Sequence, residues 1–301
     1  MLEFCHVRIY NHDMELHTSY IITGPTASGK SDFAHRLACR VNGTIINCDS
    51  VQIYRGIENI SASPFAGRPI SDEIDGVPYR LFSILDLSDQ ISVAEYLNMA
   101  RREYDAARGA GRVPIFVGGT GYYINALVNG ISPMPDVSPE NRARAREMVA
   151  TDIKSVRDLL PPDFTATDPQ RVARALEVFL QSGRHLTQWW QVPRVGAITP
   201  RPYQILINPP SDIVRAKIAA RIPKMLDGGA MDEARYVIAN NWDVCRAIGA
   251  EQLCAYLCGE ISMDECIHNW IVKTNQYAKR QRTWFRTQFA ADIEIKNPND
   301  F

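Results

Sequence analysis

The sequence predicts an α/β protein in which a mostly parallel β-sheet core is interrupted by a helical insertion. Three observations support this prediction. Short apolar runs rich in β-branched residues recur without polar alternation, as in strands that are buried on both faces. A glycine-rich loop joins the first of these runs to a helical segment. After Pro135 the chain becomes polar and helical, and a strand-like run returns only at Tyr203.

Composition is that of an ordinary globular chain. Its 301 residues contain 33 Lys and Arg against 34 Asp and Glu, and 46% are hydrophobic, so disordered and fibrous classes are excluded. The longest uncharged run, 113–135, is broken by glycines and prolines and does not suit a membrane span. The N-terminus carries charges where a signal peptide needs apolar residues. We expect a cytoplasmic protein that acts as a monomer, with no membrane partner and with reduced cysteines.

The core elements follow in order. Ser19–Thr23 is the first strand, and the helix after the glycine loop runs to Val41. Further buried strands are predicted at Thr44–Cys48, Val113–Val117 and Tyr203–Ile207. Residues 1–18 lack a clear period and are assigned to an N-terminal extension. The domain prediction is a core formed by 19–135 and 203–301, with a helical insert at 136–202.

Two helices have clear end signals. In the insert, Asp168 and Pro169 begin a helix that Gly183 ends. One face of that helix is apolar, and the opposite face carries Gln170, Arg171, Arg174 and Gln181. In the core, a capping box at Ser262 and Glu265 begins a long final helix that ends near Phe289.

The glycine loop matches the phosphate-binding pattern GxxxxGK[ST], in the strand–loop–helix context that the pattern requires. Its backbone N–H groups and the helix N-terminus suit a polyphosphate, so the core is predicted to be P-loop NTPase-like. Lys30 would neutralise the outer phosphate, and Ser31 would hold Mg²⁺. The candidate diphosphate-binding residues are Gly24, Pro25, Thr26, Ala27, Ser28, Gly29, Lys30 and Ser31.

Two further strand ends point to the same crevice, because ligands of open α/β sheets bind at the carboxyl ends of the strands. Asp49 follows the second strand, and Thr120 follows Gly118 and Gly119 after the third. Asp49 is a candidate general base. The alternative is that Asp49 caps a helix over 50–54. Asp86 is a rival acid that we assign to a loop cap.

The final helix is basic. Residues 273–291 include Lys273, Lys279, Arg280, Arg282 and Arg286 and contain no acid. Interleaved aromatic residues favour a nucleic-acid face. The alternative is a solvated basic helix whose aromatic residues lie in the core.

Six motifs in fixed order make the chain resemble the tRNA isopentenyltransferase family. They are GPTASGKS (24–31), NCDSVQIYRG (47–56), VGGTGYY (117–123), DPQRVARALEVF (168–179), RAIGAEQ (246–252) and TNQYAKRQRTWFR (274–286). This resemblance implies transfer of a dimethylallyl group from dimethylallyl diphosphate to the exocyclic amine of the adenosine 3′ to the anticodon, with Mg²⁺. It also implies a phosphate-loop core with a helical tRNA-binding insert.

The resemblance also implies residue roles. Asp49 would take the proton from the adenine amine, Thr120 would help to bind the leaving phosphates, and Arg246 would reach the diphosphate from the other side. The implied tRNA contacts are Asp49, Ser50, Val51, Gln52, Thr120, Arg142, Gln170, Arg171, Val172, Ala173, Arg174, Asn275, Gln276, Tyr277, Ala278, Lys279 and Arg280. Two positions depart from the family pattern: Glu251 stands where a basic residue is usual, and Asn275 stands where Arg is usual.

Three other functions share some of these features. An adenylate isopentenyltransferase would act on free AMP, ADP or ATP, but would need neither the insert nor the basic helix. A P-loop kinase would usually have an acid after the strand that ends in Gly118-Gly119-Thr120. A non-catalytic RNA-binding protein would not need the glycine loop.

Overall fold

The computed structural model describes residues 18–244 and 247–300. Two parts of the sequence prediction fall outside this range: the N-terminal extension, apart from Thr18, and Arg246. The described chain forms two compact units, one built from 18–128 and 198–300 and the other from Asn129 to Ala197.

The larger unit is built on a seven-stranded sheet with the order β3-β4-β2-β5-β1-β6-β7. All neighbouring strands are parallel except β3 and β4, which pair antiparallel. The predicted parallel α/β core is therefore confirmed. The strands are β1 (Tyr20–Thr23), β2 (Gly43–Asn47), β3 (Glu73–Ile74), β4 (Val77–Arg80), β5 (Val113–Gly118), β6 (Tyr203–Ile207) and β7 (Ile293–Ile295).

The four strands predicted from sequence form the middle of this sheet. β1 and β2 are buried along their whole length, and β6 lies within the predicted bounds. Burial on both faces explains why these segments are continuously apolar. The outer strands β3, β4 and β7 were not predicted, because they are short and partly exposed and lack a strong sequence pattern.

Helices connect and cover the strands. They are α1 (Lys30–Val41), α2 (Val93–Gly109), α3 (Gly121–Asn129), α4 (Pro139–Asp158), α5 (Pro169–Ser182), α6 (Leu186–Trp190), α7 (Ser211–Met225), α8 (Met231–Ala239), α9 (Ala250–Leu257) and α10 (Met263–Gln288). The predicted capping box is present at the start of α10, where Ser262 and Glu265 bond each other's backbone N–H groups. None of the described helices is long and apolar enough to cross a membrane.

The smaller unit has its own hydrophobic core between α4 and α5. The side chains of Val149, Leu176 and Val178 are among those buried there. As predicted, Asp168 caps α5 by accepting from the Arg171 N–H at 3.0 Å, and Gly183 ends the helix with a φ of 66°. Left-handed backbone of this kind favours glycine.

The ends of the smaller unit are held together by backbone pairing. Ile131 and Val195 exchange two N–H···O bonds of 2.9 Å in an antiparallel bridge. The compact unit accordingly begins at Asn129 and ends at Ala197, whereas the sequence placed the insert at 136–202. The composition change after Pro135 does not reveal this bridge, because a single residue pair leaves no periodic pattern.

Candidate active site

The phosphate loop lies between β1 and α1, as the motif requires. Gly24 packs so closely against β6 that a Cβ atom there would lie 2.1 Å from the Ile207 carbonyl oxygen, and Gly29 has a left-handed φ of 91°. Because both positions exclude ordinary side chains, the loop can keep its tight turn at the N-terminus of α1. Lys30 and Ser31 begin that helix.

Charge around Lys30 makes the loop suitable for an anion. Burial lowers the pKa of Lys30 to about 8; nearby Asp49 acts in the opposite direction, and Arg221 lowers it further. Lys30, Asp49 and Arg221 are all partly accessible. Two cations and one carboxylate at an accessible crevice leave an excess of positive charge, which suits a bound diphosphate.

Arg221 was missed by the sequence analysis. It projects from α7, and one of its terminal nitrogens donates to the Thr26 hydroxyl at 3.1 Å. Its Nε atom is buried and has no hydrogen-bond partner among the described residues, and burial lowers the pKa of this guanidinium. The sequence does contain a signal, since Arg221 falls on the helix face that also carries the buried residues Ile218 and Met225.

Gln281 is a second residue that the sequence analysis did not assign. Its amide oxygen accepts from the Thr26 backbone N–H at 2.8 Å, and its amide nitrogen donates to the Gly119 carbonyl at 3.0 Å. A Cβ atom on Gly119 would lie 2.3 Å from that nitrogen. Gln281 therefore joins α10 to the phosphate loop and to the loop after β5.

The structure brings Asp49 and Thr120 together, as the strand order predicted. The Thr120 hydroxyl accepts from the Ser50 N–H at 3.0 Å and lies 3.3 Å from the Ser50 hydroxyl. Thr120 also donates its backbone N–H to the Cys48 carbonyl at 3.3 Å. The loop after β2 and the loop after β5 consequently form one wall of the crevice.

The two carboxylate oxygens of Asp49 have different surroundings. Its Oδ1 accepts from the Val51 N–H at 3.0 Å, and within the described residues Oδ2 has no hydrogen-bond partner. Residues 50–54 form turns rather than the helix that the alternative interpretation required. Asp86 instead pairs with Arg55 at 3.2 Å on the surface. Asp49 is therefore the carboxylate that meets the phosphate loop.

The basic final helix has fewer exposed Lys and Arg side chains than its sequence suggests. Lys273 forms a 2.6 Å ion pair with Glu251, one of the departures from the family pattern. Arg282 donates to the Ser211 hydroxyl at 3.0 Å and to the Pro209 carbonyl. The exposed bases that remain on α10 are Lys279, Arg280 and Arg286. Asn275, the other departure, donates to the Ile271 carbonyl of its own helix.

Tyr277 lies close enough to Asp49 for that charge to affect its titration. Burial raises the pKa of Tyr277, the Asp49 charge raises it further, and Arg280 opposes both. The Arg280 guanidinium is 5.9 Å from the Tyr277 ring centre. Gln276 is exposed, whereas Ala278 is buried and offers no side-chain atom to a ligand.

In the smaller unit, the predicted tRNA contacts divide by burial. Arg142, Gln170 and Arg171 are exposed, and Arg171 pairs with its own cap, Asp168, at 3.5 Å. Arg174 donates to the buried Glu177 carboxylate at 3.1 Å. The side chains of Val172 and Ala173 are packed in the hydrophobic core, and their contacts with tRNA stay predictions.

Among the described residues, no acidic or thiol-rich metal cluster accompanies the site. In the parts of the chain that the structure describes, no group of three His, Cys, Asp or Glu side chains could hold a metal ion. Mg²⁺ is commonly held by few protein ligands together with substrate phosphates. The donor set thus fits an ion that is bound by Ser31 and by a diphosphate.

The fold and the site define a class: a P-loop NTPase-like protein with a carboxylate beside its anion-binding loop. Comparison with known proteins gives the family. The family model described as IPP transferase matches residues 52–288. The tRNA dimethylallyltransferase of Rhodospirillum rubrum is 39% identical over 285 residues, covering 90% of this chain and 86% of that protein. The chain therefore belongs to the IPP transferase family.

A further relative and two solved structures are consistent with this family membership. The tRNA dimethylallyltransferase of Sphingopyxis alaskensis is 41% identical over 279 residues and 89% of each chain. The crystal structure of the full-length tRNA isopentenylpyrophosphate transferase from Bacillus halodurans is 28% identical, with a TM-score of 0.64, over 92% of this chain and 90% of that one. A eukaryotic dimethylallyltransferase acting on tRNA, 24% identical over 89% of this chain and 69% of that one, shares the fold with a TM-score of 0.72.

Proposed function

We propose that this protein transfers a dimethylallyl group from dimethylallyl diphosphate to the N6 amine of the adenosine 3′-adjacent to the anticodon of tRNA. The products are N6-dimethylallyladenosine and diphosphate. The observation that carries the proposal is the meeting of Asp49, Thr120 and the phosphate loop in one crevice. Relatives that cover most of this chain are named tRNA dimethylallyltransferase, which supports the proposal.

The phosphate loop would bind the leaving group. An allylic carbon becomes a good electrophile when the negative charge that develops on its diphosphate is stabilised. Lys30 and the backbone N–H groups of the loop would supply that stabilisation, and the Arg221 guanidinium would add a second cation. Two observations support this role: within the described part of the chain the Arg221 Nε has no hydrogen-bond partner, and a terminal nitrogen of Arg221 contacts the loop at Thr26.

Asp49 would act on the other reactant. The adenine N6 amine forms a bond to the allylic carbon while the bond from that carbon to the diphosphate oxygen breaks, and the electron pair of the broken bond leaves with diphosphate. The amine then carries an extra proton, which the Oδ2 atom of Asp49 would accept. Thr120 would hold the loop that carries Asp49 in position through its hydrogen bonds to Ser50.

A Mg²⁺ ion, when bound, would neutralise further negative charge on the diphosphate. We propose Ser31 as its protein ligand. Arg246 remains a predicted diphosphate contact.

An adenine inside a stacked anticodon loop cannot reach a crevice at the edge of a sheet, so the nucleotide should be flipped out. Ser50, Val51 and Gln52 are partly exposed next to Asp49 and would line its path. On α10, Lys279 and Arg280 would contact the stem-loop phosphates. Arg142, Gln170 and Arg171 would make the tRNA contacts of the smaller unit.

The discriminating experiment offers radiolabelled dimethylallyl diphosphate to an anticodon stem-loop and, separately, to AMP. We expect label in the stem-loop at the adenosine next to the anticodon. Label in AMP alone would identify an adenylate isopentenyltransferase, and consumption of ATP with a phosphorylated product would identify a kinase.

Variants test the residue roles in the same assay. Asp49→Ala should keep tRNA binding and lose transfer, and Asp86→Ala is the matched control because Asp86 lies on the surface with Arg55. Full activity of Asp49→Ala would remove Asp49 from the mechanism.

A further inference from the structure

The smaller unit presents two adjacent tryptophans beside an arginine, and no role has been assigned to them. We call Arg184, Trp189 and Trp190 the tryptophan surface. The Trp190 side chain is 53% exposed, whereas tryptophan side chains are on average highly buried. Arg184 is exposed as well, and Trp189 is partly exposed. Within the smaller unit, the stretch 178–197 contains Arg184 and Arg194 and no acid.

The rings of this surface are held in place by neighbouring groups. The Arg184 guanidinium lies 4.5 Å from the Trp189 ring centre, within the range of a cation–π contact. The Trp189 indole N–H points to the Ser182 hydroxyl at 3.4 Å. The Trp190 ring packs on the buried Phe164 at 6.3 Å between ring centres, with 27° between the planes. Exposed rings that are already ordered lose little side-chain freedom when they bind a ligand.

Ordered rings together with positive charge are suited to unpaired nucleobases. Every base offers a flat π-surface for stacking, and an adjacent arginine attracts the phosphate backbone. Gln188 and Gln191, both exposed on the same short segment, could hydrogen-bond base edges. The acid-free, arginine-bearing segment is complementary to the negative charge of an RNA backbone, so the charge favours RNA as the occupant.

We propose that the tryptophan surface stacks on unpaired nucleotides of the bound RNA, with Trp190 as the main contact and Arg184 on the backbone. This proposal rests on the proposed function, because it takes tRNA as the substrate. Stacking at the tryptophan surface requires single-stranded RNA, whereas phosphate contacts at Arg142, Gln170 and Arg171 do not.

Two substitutions at one position test stacking. Trp190→Phe keeps an aromatic ring over Phe164, and Trp190→Leu keeps an apolar side chain but removes the ring. Binding of an anticodon stem-loop should stay close to wild type in the first variant. In the second it should weaken by about tenfold, the order expected for loss of one base–aromatic stack. Leu159→Ala is the matched control, because Leu159 has the same 53% exposure in the same unit.

The RNA used provides a second comparison. A fully paired duplex with the same number of phosphates should bind Trp190→Leu and wild type equally, because stacked bases are not available. Arg184→Gln should weaken the binding of both the stem-loop and the duplex, and it should reduce the salt dependence of binding. Thermal unfolding of each variant identifies losses that come from misfolding. If Trp190→Leu does not fold, Trp190→Gln, which also removes the ring, replaces it with the same expected loss.

Unchanged stem-loop affinity in Trp190→Leu would overturn the proposal and leave this surface to a protein partner. Equal losses for stem-loop and duplex would overturn it too. The outcome is separate from that of the proposed function. If wild type transfers no prenyl group to tRNA, the proposed function fails, whatever Trp190 does. If wild type is active and Trp190→Leu binds normally, only this inference fails.

Discussion

Lys30 is expected to destabilise the folded protein while it enables diphosphate binding, and Lys30→Met tests this. Burial is the main cause that lowers the pKa of Lys30 from 10.5 to about 8. A shift of that size corresponds to about 3 kcal/mol of unfavourable free energy for the charged form in the folded state. The uncharged, similarly long methionine should therefore raise the free energy of unfolding at pH 7, by up to about 3 kcal/mol.

The pH dependence follows from the direction of the shift. Because the folded pKa is lower than that of the unfolded chain, the unfolded chain binds more protons between pH 8 and pH 10.5. The stability of wild type should consequently rise relative to Lys30→Met over that interval. Below pH 8 the full difference between the two proteins should be present, and near pH 10.5 it should disappear.

Urea unfolding at several pH values measures this difference, and Lys224→Met is the control, because Lys224 lies exposed on α7. Lys30→Met should also lose diphosphate binding in calorimetry, and Lys224→Met should keep it. The reasoning is refuted if Lys30→Met is less stable than wild type at pH 7, or if its stability difference does not change with pH.

Three further predictions concern residues whose contacts only the structure shows. Arg221→Ala should weaken diphosphate binding by about tenfold or more, the order expected for the loss of a charged hydrogen bond. Titration with diphosphate measures this, and an unchanged affinity would contradict the prediction. Gln281→Met should lower the free energy of unfolding by about 2–4 kcal/mol, because it leaves the Thr26 N–H and Gly119 carbonyl without partners; denaturation within 1 kcal/mol of wild type would contradict this. Glu251→Lys combined with Lys273→Glu should recover the stability that either single change loses, with a coupling free energy of about 0.5 kcal/mol for this half-exposed pair. A double-mutant cycle that shows no coupling would exclude a stabilising contribution from this ion pair.

The central strands and the phosphate loop could be predicted because their signals are local. β6 has the predicted bounds, and the loop from Gly24 to Gly29 joins β1 to α1, which begins at Lys30, as the pattern requires. Asp49 and Thr120 could also be brought together from the sequence, because parallel strands place their carboxyl ends at one edge of a sheet. Their roles in catalysis remain predictions for the assays above.

The number of basic residues on the last helix did not indicate which of them are available to RNA. The sequence alone assigned Lys273 and Arg282 to an RNA face, yet Lys273 pairs with Glu251, and Arg282 donates to Pro209 in the loop before α7. Likewise, Val172 and Ala173 were read as contacts because they lie in a motif, although their helix turns them into the core. A motif gives the positions of residues along the chain, whereas their directions depend on packing.

The sequence by itself determined the parallel core, the anion-binding loop and the carboxylate next to it, because each depends on short-range pattern and on strand polarity. Only the tertiary structure decided which side chains complete the crevice. Arg221 and Gln281 come from helices nearly two hundred residues or more beyond the loop in the chain, and they reach Thr26 through contacts at separations of 195 and 255 residues. No local pattern encodes contacts over such distances, because they form only when the core has packed.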